Sequence, residues 1–167
     1  MSKTGLTHDN YSPDPILVID EMPLIAVGLR EIFRSVNPET RVEYTSSVFT
    51  ALSAKEYDDR SFGLVILGAG PSESPEDLSR SASELKQRFD GCRVLVYTDQ
   101  YDPTLIRKIK DENENKNNRE GIIDACVHKF EPIEEIRNAY LHILAGETYV
   151  SAILHTLYYA YRLNIEK

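Results

Sequence analysis

Polar side chains stand at the ends of three predicted strands, and their types suit phosphoryl chemistry. They are Asp20, Glu21, Thr98 and Lys129. The carboxyl ends of parallel strands meet at one edge of a sheet, where ligands bind, so we expect these side chains to lie together. Two adjacent carboxylates can hold Mg2+ through oxygen ligands and waters. A lysine and a threonine hydroxyl can bind and recognise a phosphoryl group.

The central predicted strand ends on a residue that carries no reactive group. The apolar run 64–67 is followed by the loop 68–71, Gly-Ala-Gly-Pro, which is typical of the middle strand of a parallel sheet. The edge position is Gly68, and glycine has no nucleophilic oxygen. Three acids follow at Glu73, Glu76 and Asp77. Their simpler role is to solvate the loop and to place negative charge at a helix N-terminus.

The apolar runs of the chain alternate between strand-like and helix-like patterns. Strand-like runs occupy 15–19, 41–46, 63–67, 93–98 and 122–128. Apolar residues at helical spacing follow each of them, within 24–36, 48–52, 78–89, 105–109 and 133–144. This alternation predicts an α/β protein with a (βα)5 doubly wound, five-stranded parallel sheet.

The chain divides into three predicted segments. Residues 1–14 are polar and form an N-terminal arm, 15–146 form the domain, and 147–167 form a helical extension. The extension either packs on its own domain or serves as a dimerisation or partner-docking helix. The stretch 111–120, DENENKNNRE, is entirely polar, and we expect a flexible insertion there.

Composition bounds the class of protein. The chain has 167 residues, of which 41% are hydrophobic, and this suits one globular domain with a real core. The net charge of −8 argues against a broad nucleic-acid footprint. No apolar run approaches the roughly 18 residues of a membrane span, and no signal-peptide core is present. Cys92 and Cys126 are expected to be buried free thiols in a reducing compartment. We therefore expect a soluble cytoplasmic protein that does not touch the membrane.

The chain resembles the receiver domain of bacterial response regulators, most of all the NarL/FixJ type. The resemblance covers roughly 15–151 and rests on four stretches. They are ILVIDEMPLIAVGLREIF (16–33), LVILGAGP (64–71), VLVYTDQYDP (94–103) and IIDACVHKFEPIEEIRNAYLHILAGETYVS (122–151). The resemblance implies a flavodoxin-like receiver fold with an extra C-terminal helix. It also implies roles for the strand-end residues: Asp20 and Glu21 match the acidic metal-binding pair, Thr98 the switch hydroxyl, and Lys129 the lysine of the phosphoryl site.

The chain departs from the family at positions that matter for signalling. Gly68 matches the aspartate that accepts phosphate, so an aspartyl-phosphate cannot form there. Cys126 matches the aromatic switch residue. The polar insertion 111–120 falls on a face that many receiver domains use for signalling. The family's DNA-reading helix-turn-helix should begin near residue 155, and the sequence ends at Lys167, too early for one.

We therefore expect a pseudo-receiver without enzymatic activity or a required cofactor. It acts independently of phosphorylation in signal transduction or transcriptional control, through a protein partner such as another regulator. We expect a homodimer and no direct nucleic-acid binding by this chain. Its working surfaces are expected to be the fifth helix, the C-terminal helix and the region 101–121.

Two other functions stay open. The strand-end cleft could sense Mg2+ or a small anion, with room left by Gly68 and Gly70. Alternatively, the chain is the receiver part of a longer DNA-binding regulator. Three of these residues also have simpler readings. Asp20 and Glu21 could pair with Lys129 in a salt bridge without any metal, and Thr98 could only hydrogen-bond its adjacent loop.

Overall fold

The computed structural model describes residues 14–114 and 122–165, with side chains in the first range described only as far as Asp111. Within these residues, strands and helices alternate along the chain. The strands are β1 (Ile16–Ile19), β2 (Val42–Thr45), β3 (Leu64–Ala69), β4 (Arg93–Thr98), β5 (Ala125–His128) and β6 (Tyr149–Val150). The helices are α1 (Pro23–Val36), α2 (Val48–Ser53), α3 (Pro75–Arg88), α4 (Pro103–Glu114), α5 (Ile133–Leu144) and α6 (Ala152–Ile165), with a short 3-10 helix at Lys55–Tyr57.

The strands form one parallel sheet in the order β2-β1-β3-β4-β5-β6. The strand order reverses direction beside β1, so helices cover both faces of the sheet. The predicted doubly wound, flavodoxin-like fold with a C-terminal helix is confirmed. Strands β1 and β3 lie inside the sheet and are almost wholly buried, which explains their unbroken apolar sequences.

The sheet carries a short sixth strand in addition to the five predicted ones. Strand β6 is two residues long, and Tyr149 and Val150 pair with Ala125 and Cys126 of β5. A strand of two residues is too short to produce an apolar period in the sequence. The extension therefore begins as an edge strand of the sheet before it becomes a helix.

Two apolar clusters cover the two faces of the sheet. Helices α1 and α5 pack on one face, where Phe33 meets Tyr140 edge to face with ring centroids 4.8 Å apart. Helices α2, α3, α4 and α6 contribute to the cluster on the other face. The helix α6 enters this second cluster through Leu154 and Tyr158, which are 2% and 8% exposed. Of the two readings of the extension, the structure favours packing on its own domain.

Strand β5 begins later than the apolar run 122–128 suggested, because Asp124 is tied to the start of β4. The Asp124 carboxylate is buried and accepts a hydrogen bond of 2.8 Å from the Val94 backbone N–H. It also pairs with Lys86 and Arg93, each at 2.8 Å. Two cations and a backbone donor offset the cost of burying this charge.

Helix α4 extends into the predicted insertion. The backbone of 111–114 is helical, so the boundary placed at residue 111 is wrong. Arg107 and Asp111 lie one turn apart with their charged atoms 3.6 Å from each other, a spacing that supports an exposed helix. The remaining positions of the insertion, 115–120, lie outside the described residues, as does all of the predicted N-terminal arm except Asp14.

Both cysteines are buried free thiols, as predicted. Burial raises the pKa of the Cys92 thiol to about 11. It raises the pKa of the Cys126 thiol further, because that side chain, on β5, is completely buried. Across residues 14–114 and 122–165, each helix is too short or too polar to cross a membrane.

Candidate functional site

The ends of β1 and β5 bring Asp20 and Lys129 into contact. The Lys129 ammonium lies 3.1 Å from Asp20 Oδ2, and the two side chains are only 18% and 5% exposed. The other oxygen, Asp20 Oδ1, accepts a hydrogen bond of 2.8 Å from the Met22 backbone N–H at the start of α1. Both oxygens of the carboxylate are therefore engaged within the protein. This is the ion pair that the sequence left open as an alternative to metal binding.

An aromatic side chain borders the ion pair on each side. The Lys129 ammonium lies 5.9 Å from the centre of the Tyr97 ring, within the range of a cation–π contact. Burial, with a smaller effect of the Asp20 charge, raises the pKa of the Tyr97 hydroxyl. The Tyr44 hydroxyl donates a hydrogen bond of 2.8 Å to the Asp20 carbonyl oxygen. These contacts fix the backbone and side chain of Asp20 together.

The Asp20 carboxylate occupies the space beside Gly68. A Cβ atom placed on Gly68 would lie 2.0 Å from Asp20 Oδ2, 2.7 Å from Asp20 Cγ and 2.9 Å from the Ile19 carbonyl oxygen. Real Cβ atoms do not approach other atoms to 2.0 Å, so a side chain fits at position 68 only if Asp20 moves and the backbone at Ile19 shifts slightly. The room that the sequence suggested at Gly68 is thus filled, whereas a Cβ on Gly70 would meet nothing within 4 Å.

The described residues do not favour a magnesium ion at this edge. Glu21 is exposed on the surface, whereas Asp20 is buried in its ion pair. Among residues 14–111 and 122–165, no group of three His, Cys, Asp or Glu side chains is placed to hold a metal ion. Mg2+ requires near-octahedral oxygen ligands, and Asp20, the buried carboxylate described at this edge, is already neutralised by Lys129. The magnesium site that the sequence suggested at Asp20 and Glu21 is open to test by titration with Mg2+.

Thr98 is fully buried at the end of β4 and holds the loop that follows. Its Oγ1 accepts a hydrogen bond of 2.9 Å from the Gln100 backbone N–H. Its carbonyl oxygen accepts a hydrogen bond of 2.6 Å from the Lys129 backbone N–H, which joins β4 to the end of β5. The threonine oxygen thus has a structural partner, which agrees with its simpler reading.

Gln100 ties two strand-end loops together, a role that the sequence did not reveal. Its Nε2 donates to the carbonyl oxygens of Gly70 and Glu73, the latter at 2.6 Å. Glu73 Oε2 in turn accepts a hydrogen bond of 2.8 Å from the Gly70 backbone N–H. A glutamine in a loop gives no sequence signal, because its partners lie 27 and 30 residues earlier in the chain.

His128 was also missed as a possible site residue. Its ring is fully buried and stacks on Tyr101 with centroids 3.9 Å apart. Its Nδ1 accepts a hydrogen bond of 3.2 Å from the Phe130 backbone N–H, so the neutral ring carries its proton on Nε2. That Nε2 has no hydrogen-bond partner among the described residues. Tyr101 and Phe130 are 49% and 81% exposed, so an aromatic surface lies directly over this histidine.

No family model matches the chain, and no curated protein sequence matches it. Several solved structures are similar to it. The isolated receiver domain of RcsB from Salmonella enterica serovar Typhimurium, in the presence of phosphomimetic BeF3−, has a TM-score of 0.65 at 14% identity, over 87% of this chain and 98% of that chain. A LuxR family DNA-binding response regulator from Silicibacter pomeroyi has a TM-score of 0.62 at 22% identity, over 83% of this chain and 98% of that chain.

A longer RcsB chain from Salmonella typhimurium matches as well, with a TM-score of 0.65 at 12% identity. The match covers 88% of this chain but only 66% of that one. At such identities the similarity establishes the architecture and not the activity. The chain has the fold of a response-regulator receiver domain, with Gly68 and a buried Asp20–Lys129 ion pair at the strand ends.

Proposed function

We propose that this chain is a pseudo-receiver, a phosphorylation-independent signalling module that acts through protein–protein interaction. It serves signal transduction or transcriptional control of the two-component type in the cytoplasm, and it performs no catalysis of its own. One observation carries the proposal. Position 68 offers no acceptor oxygen, and the Asp20 carboxylate occupies the space that an acceptor side chain would need.

The side chains that would contact a bound phosphoryl group already have partners within the protein. Lys129 is paired with Asp20, and the Thr98 oxygen accepts the Gln100 backbone N–H. Removing one partner from a buried ion pair costs about 3–5 kcal/mol, so Lys129 would not leave Asp20 without compensation. The negative charge beside Lys129 is therefore supplied by the chain itself. This arrangement supports a single resting state that does not depend on phosphorylation.

Incubation with acetyl phosphate and Mg2+ tests the proposal, with intact-mass spectrometry as the readout. We expect no phosphoryl adduct on this chain, while a receiver that has the acceptor aspartate gains one under the same conditions. A stable adduct on this chain, lost when the 68–71 loop is substituted, would sink the proposal.

The working surfaces of the module are its helices. Helix α1 packs beside α5, and both carry large exposed apolar side chains. They are Leu24, Val27, Ile133, Leu141 and Leu144. An exposed apolar surface of this kind suits association, and we propose that it supports a homodimer or holds a partner such as another regulator.

A charge placed on this surface tests the association. Leu24 is 73% exposed on α1, so Leu24→Glu leaves the core untouched but puts a carboxylate into the interface. Phe49 on α2 is 78% exposed and lies away from α1 and α5, so Phe49→Glu is the matched control. By sedimentation velocity we expect Leu24→Glu to dissociate the dimer and Phe49→Glu to leave it intact. A wild-type chain that sediments only as a monomer would contradict the homodimer.

A second candidate is that the chain is the receiver part of a longer DNA-binding regulator. The support is that it spans 66% of a longer RcsB chain, in a structure described by its DNA interaction. RcsB has also been solved in complex with DNA. Sequencing the coding region past codon 167 separates the two candidates. A helix-turn-helix segment in the same reading frame would favour the longer regulator, and a stop codon would favour the module alone.

A further inference from the structure

A cleft opens between α4 and α6, away from the strand-end residues. Its volume is about 410 Å3, and its wall is polar and aromatic. Six of the residues that line it are Arg107, Lys110, Asp111, Tyr159, Tyr161 and Arg162. Ligand sites usually measure about 300–1,000 Å3, so the cleft is large enough for a small molecule.

The cleft is locally basic on an acidic protein. Among the described residues, its lining holds three cationic side chains and one carboxylate, and one of the cations, Arg162, already has a partner. The chain as a whole carries a net charge of −8. The carboxylate is Asp111, which lies 3.6 Å from Arg107 with both side chains 64% exposed. An exposed pair of this kind contributes little and is readily exchanged for a ligand. The local charge therefore favours an anion.

Two aromatic rings lie beside the Lys110 ammonium. Its ammonium lies 5.0 Å from the centre of the Tyr158 ring and 5.2 Å from that of Tyr159. It is also 3.4 Å from His155 Nδ1. Burial, and then the Lys110 charge, lower the pKa of His155, so the imidazole is neutral near pH 7. Within the described part of the chain, no carboxylate forms a salt bridge with Lys110.

The tyrosine rings supply a second kind of contact. Tyr159 is 53% exposed and stacks on His155 with an angle of 17° between the rings. Tyr161 also lines the cleft and is partly exposed. Planar rings stack on such side chains, while lysine and arginine bind phosphate oxygens. Cations and exposed rings thus share one bounded space.

We propose that this cleft binds a small anion that carries an aromatic ring, of the nucleoside phosphate class. The phosphate contacts Lys110 and Arg107, and the base stacks on Tyr159. A bounded cavity with adjacent rings fits a compact planar anion better than an acidic peptide, which would need cations along an extended face. The ligand bridges α4 and α6, so its binding fastens the C-terminal extension to the domain. This site is independent of the strand-end ion pair and of the signalling role, so either proposal can fail without the other.

Calorimetric titration of the full chain tests the site with four probes. Guanosine 5′-monophosphate and adenosine 5′-monophosphate carry both an aromatic ring and a negative charge. The nucleoside guanosine carries only the ring, and inorganic phosphate carries only the charge. We expect a nucleotide to bind at least about tenfold more tightly than guanosine or phosphate, since both kinds of contact contribute.

Three substitutions, one of them a control, locate the binding. Lys110→Gln should weaken nucleotide binding by about tenfold or more, because it removes a charge-assisted contact. Lys108→Gln is the matched control, since Lys108 lies on the same helix outside the cleft lining, and it should leave affinity within about twofold. Tyr159→Leu keeps the helix and should weaken nucleotide binding but not phosphate binding.

Three results would overturn the proposal. The first is no saturable binding of either nucleotide. The second is an equal loss of affinity in Lys108→Gln and Lys110→Gln, which would mean unspecific attraction to a charge. The third is a poly-glutamate peptide that binds only when Lys110 is intact while both nucleotides do not bind, which would assign the cleft to an acidic peptide.

Discussion

Replacing Gly68 by alanine should destabilise the protein far more than a single methyl group suggests. The new Cβ would lie 2.0 Å from Asp20 Oδ2, so the carboxylate must leave its contact with Lys129. Overpacking a rigid site costs about 1–3 kcal/mol. Partial loss of the buried ion pair adds to this, since complete removal of one partner costs about 3–5 kcal/mol. We expect a total decrease of about 3 kcal/mol in the free energy of unfolding.

Urea denaturation followed by circular dichroism measures this change, and the chain provides its own control. A Cβ on Gly70 meets nothing within 4 Å, so Gly70→Ala should change stability by no more than about 0.5 kcal/mol. The contact with Asp20 is isolated by repeating Gly68→Ala in an Asp20→Ala background. There the cost should fall to about 1 kcal/mol, because only the Ile19 carbonyl at 2.9 Å remains close. Equal effects of Gly68→Ala and Gly70→Ala, or an unchanged cost without Asp20, would refute the reasoning.

Three further predictions concern the thiols, the extension and the metal. Burial raises the pKa of the Cys92 thiol from 9.0 to about 11. As the pH rises, the thiol therefore ionises in the unfolded state before it ionises in the folded state. The contribution of Cys92 to the free energy of unfolding should be full below pH 9 and should decline between pH 9 and 11. If the difference in the free energy of unfolding between the wild type and Cys92→Ala does not change with pH, this prediction is wrong. Glu135 accepts hydrogen bonds from the Tyr149 hydroxyl and the Ala152 backbone N–H, so Glu135→Ala should speed hydrogen exchange in α6, and Glu134→Ala should not. Calorimetric titration with Mg2+ should give no saturable heat in the wild type, and binding abolished by Asp20→Ala would instead support a metal site.

The sequence predicted most of the fold because buried parallel strands and amphipathic helices leave strong local patterns. The run Ile16–Ile19 is apolar throughout since both faces of β1 are covered. It also predicted that Asp20 and Lys129 would meet, because strand ends share one edge of a parallel sheet. That position 68 carries no acceptor side chain could be predicted from the sequence alone.

The remaining features depend on contacts between distant residues. Nothing local to Gly68 reveals that the Asp20 carboxylate fills its side-chain space, which follows from the register of β1 against β3. The bridge from Gln100 to Gly70 is equally invisible, because a loop glutamine is usually solvated. The position of α6 against α4 depends on a two-residue edge strand, and that strand leaves no period in the sequence.

Binding of the phosphomimetic BeF3− with Mg2+ tests the central claim most directly. Amide NMR spectra of the chain should show no saturable change at Gly68, Ala69, Thr98 or Lys129, because no acceptor oxygen is present and Lys129 is held by Asp20. A receiver with the acceptor aspartate, measured in parallel, should respond. Saturable shifts of these amides in the wild-type chain, abolished by Lys129→Met, would contradict the pseudo-receiver.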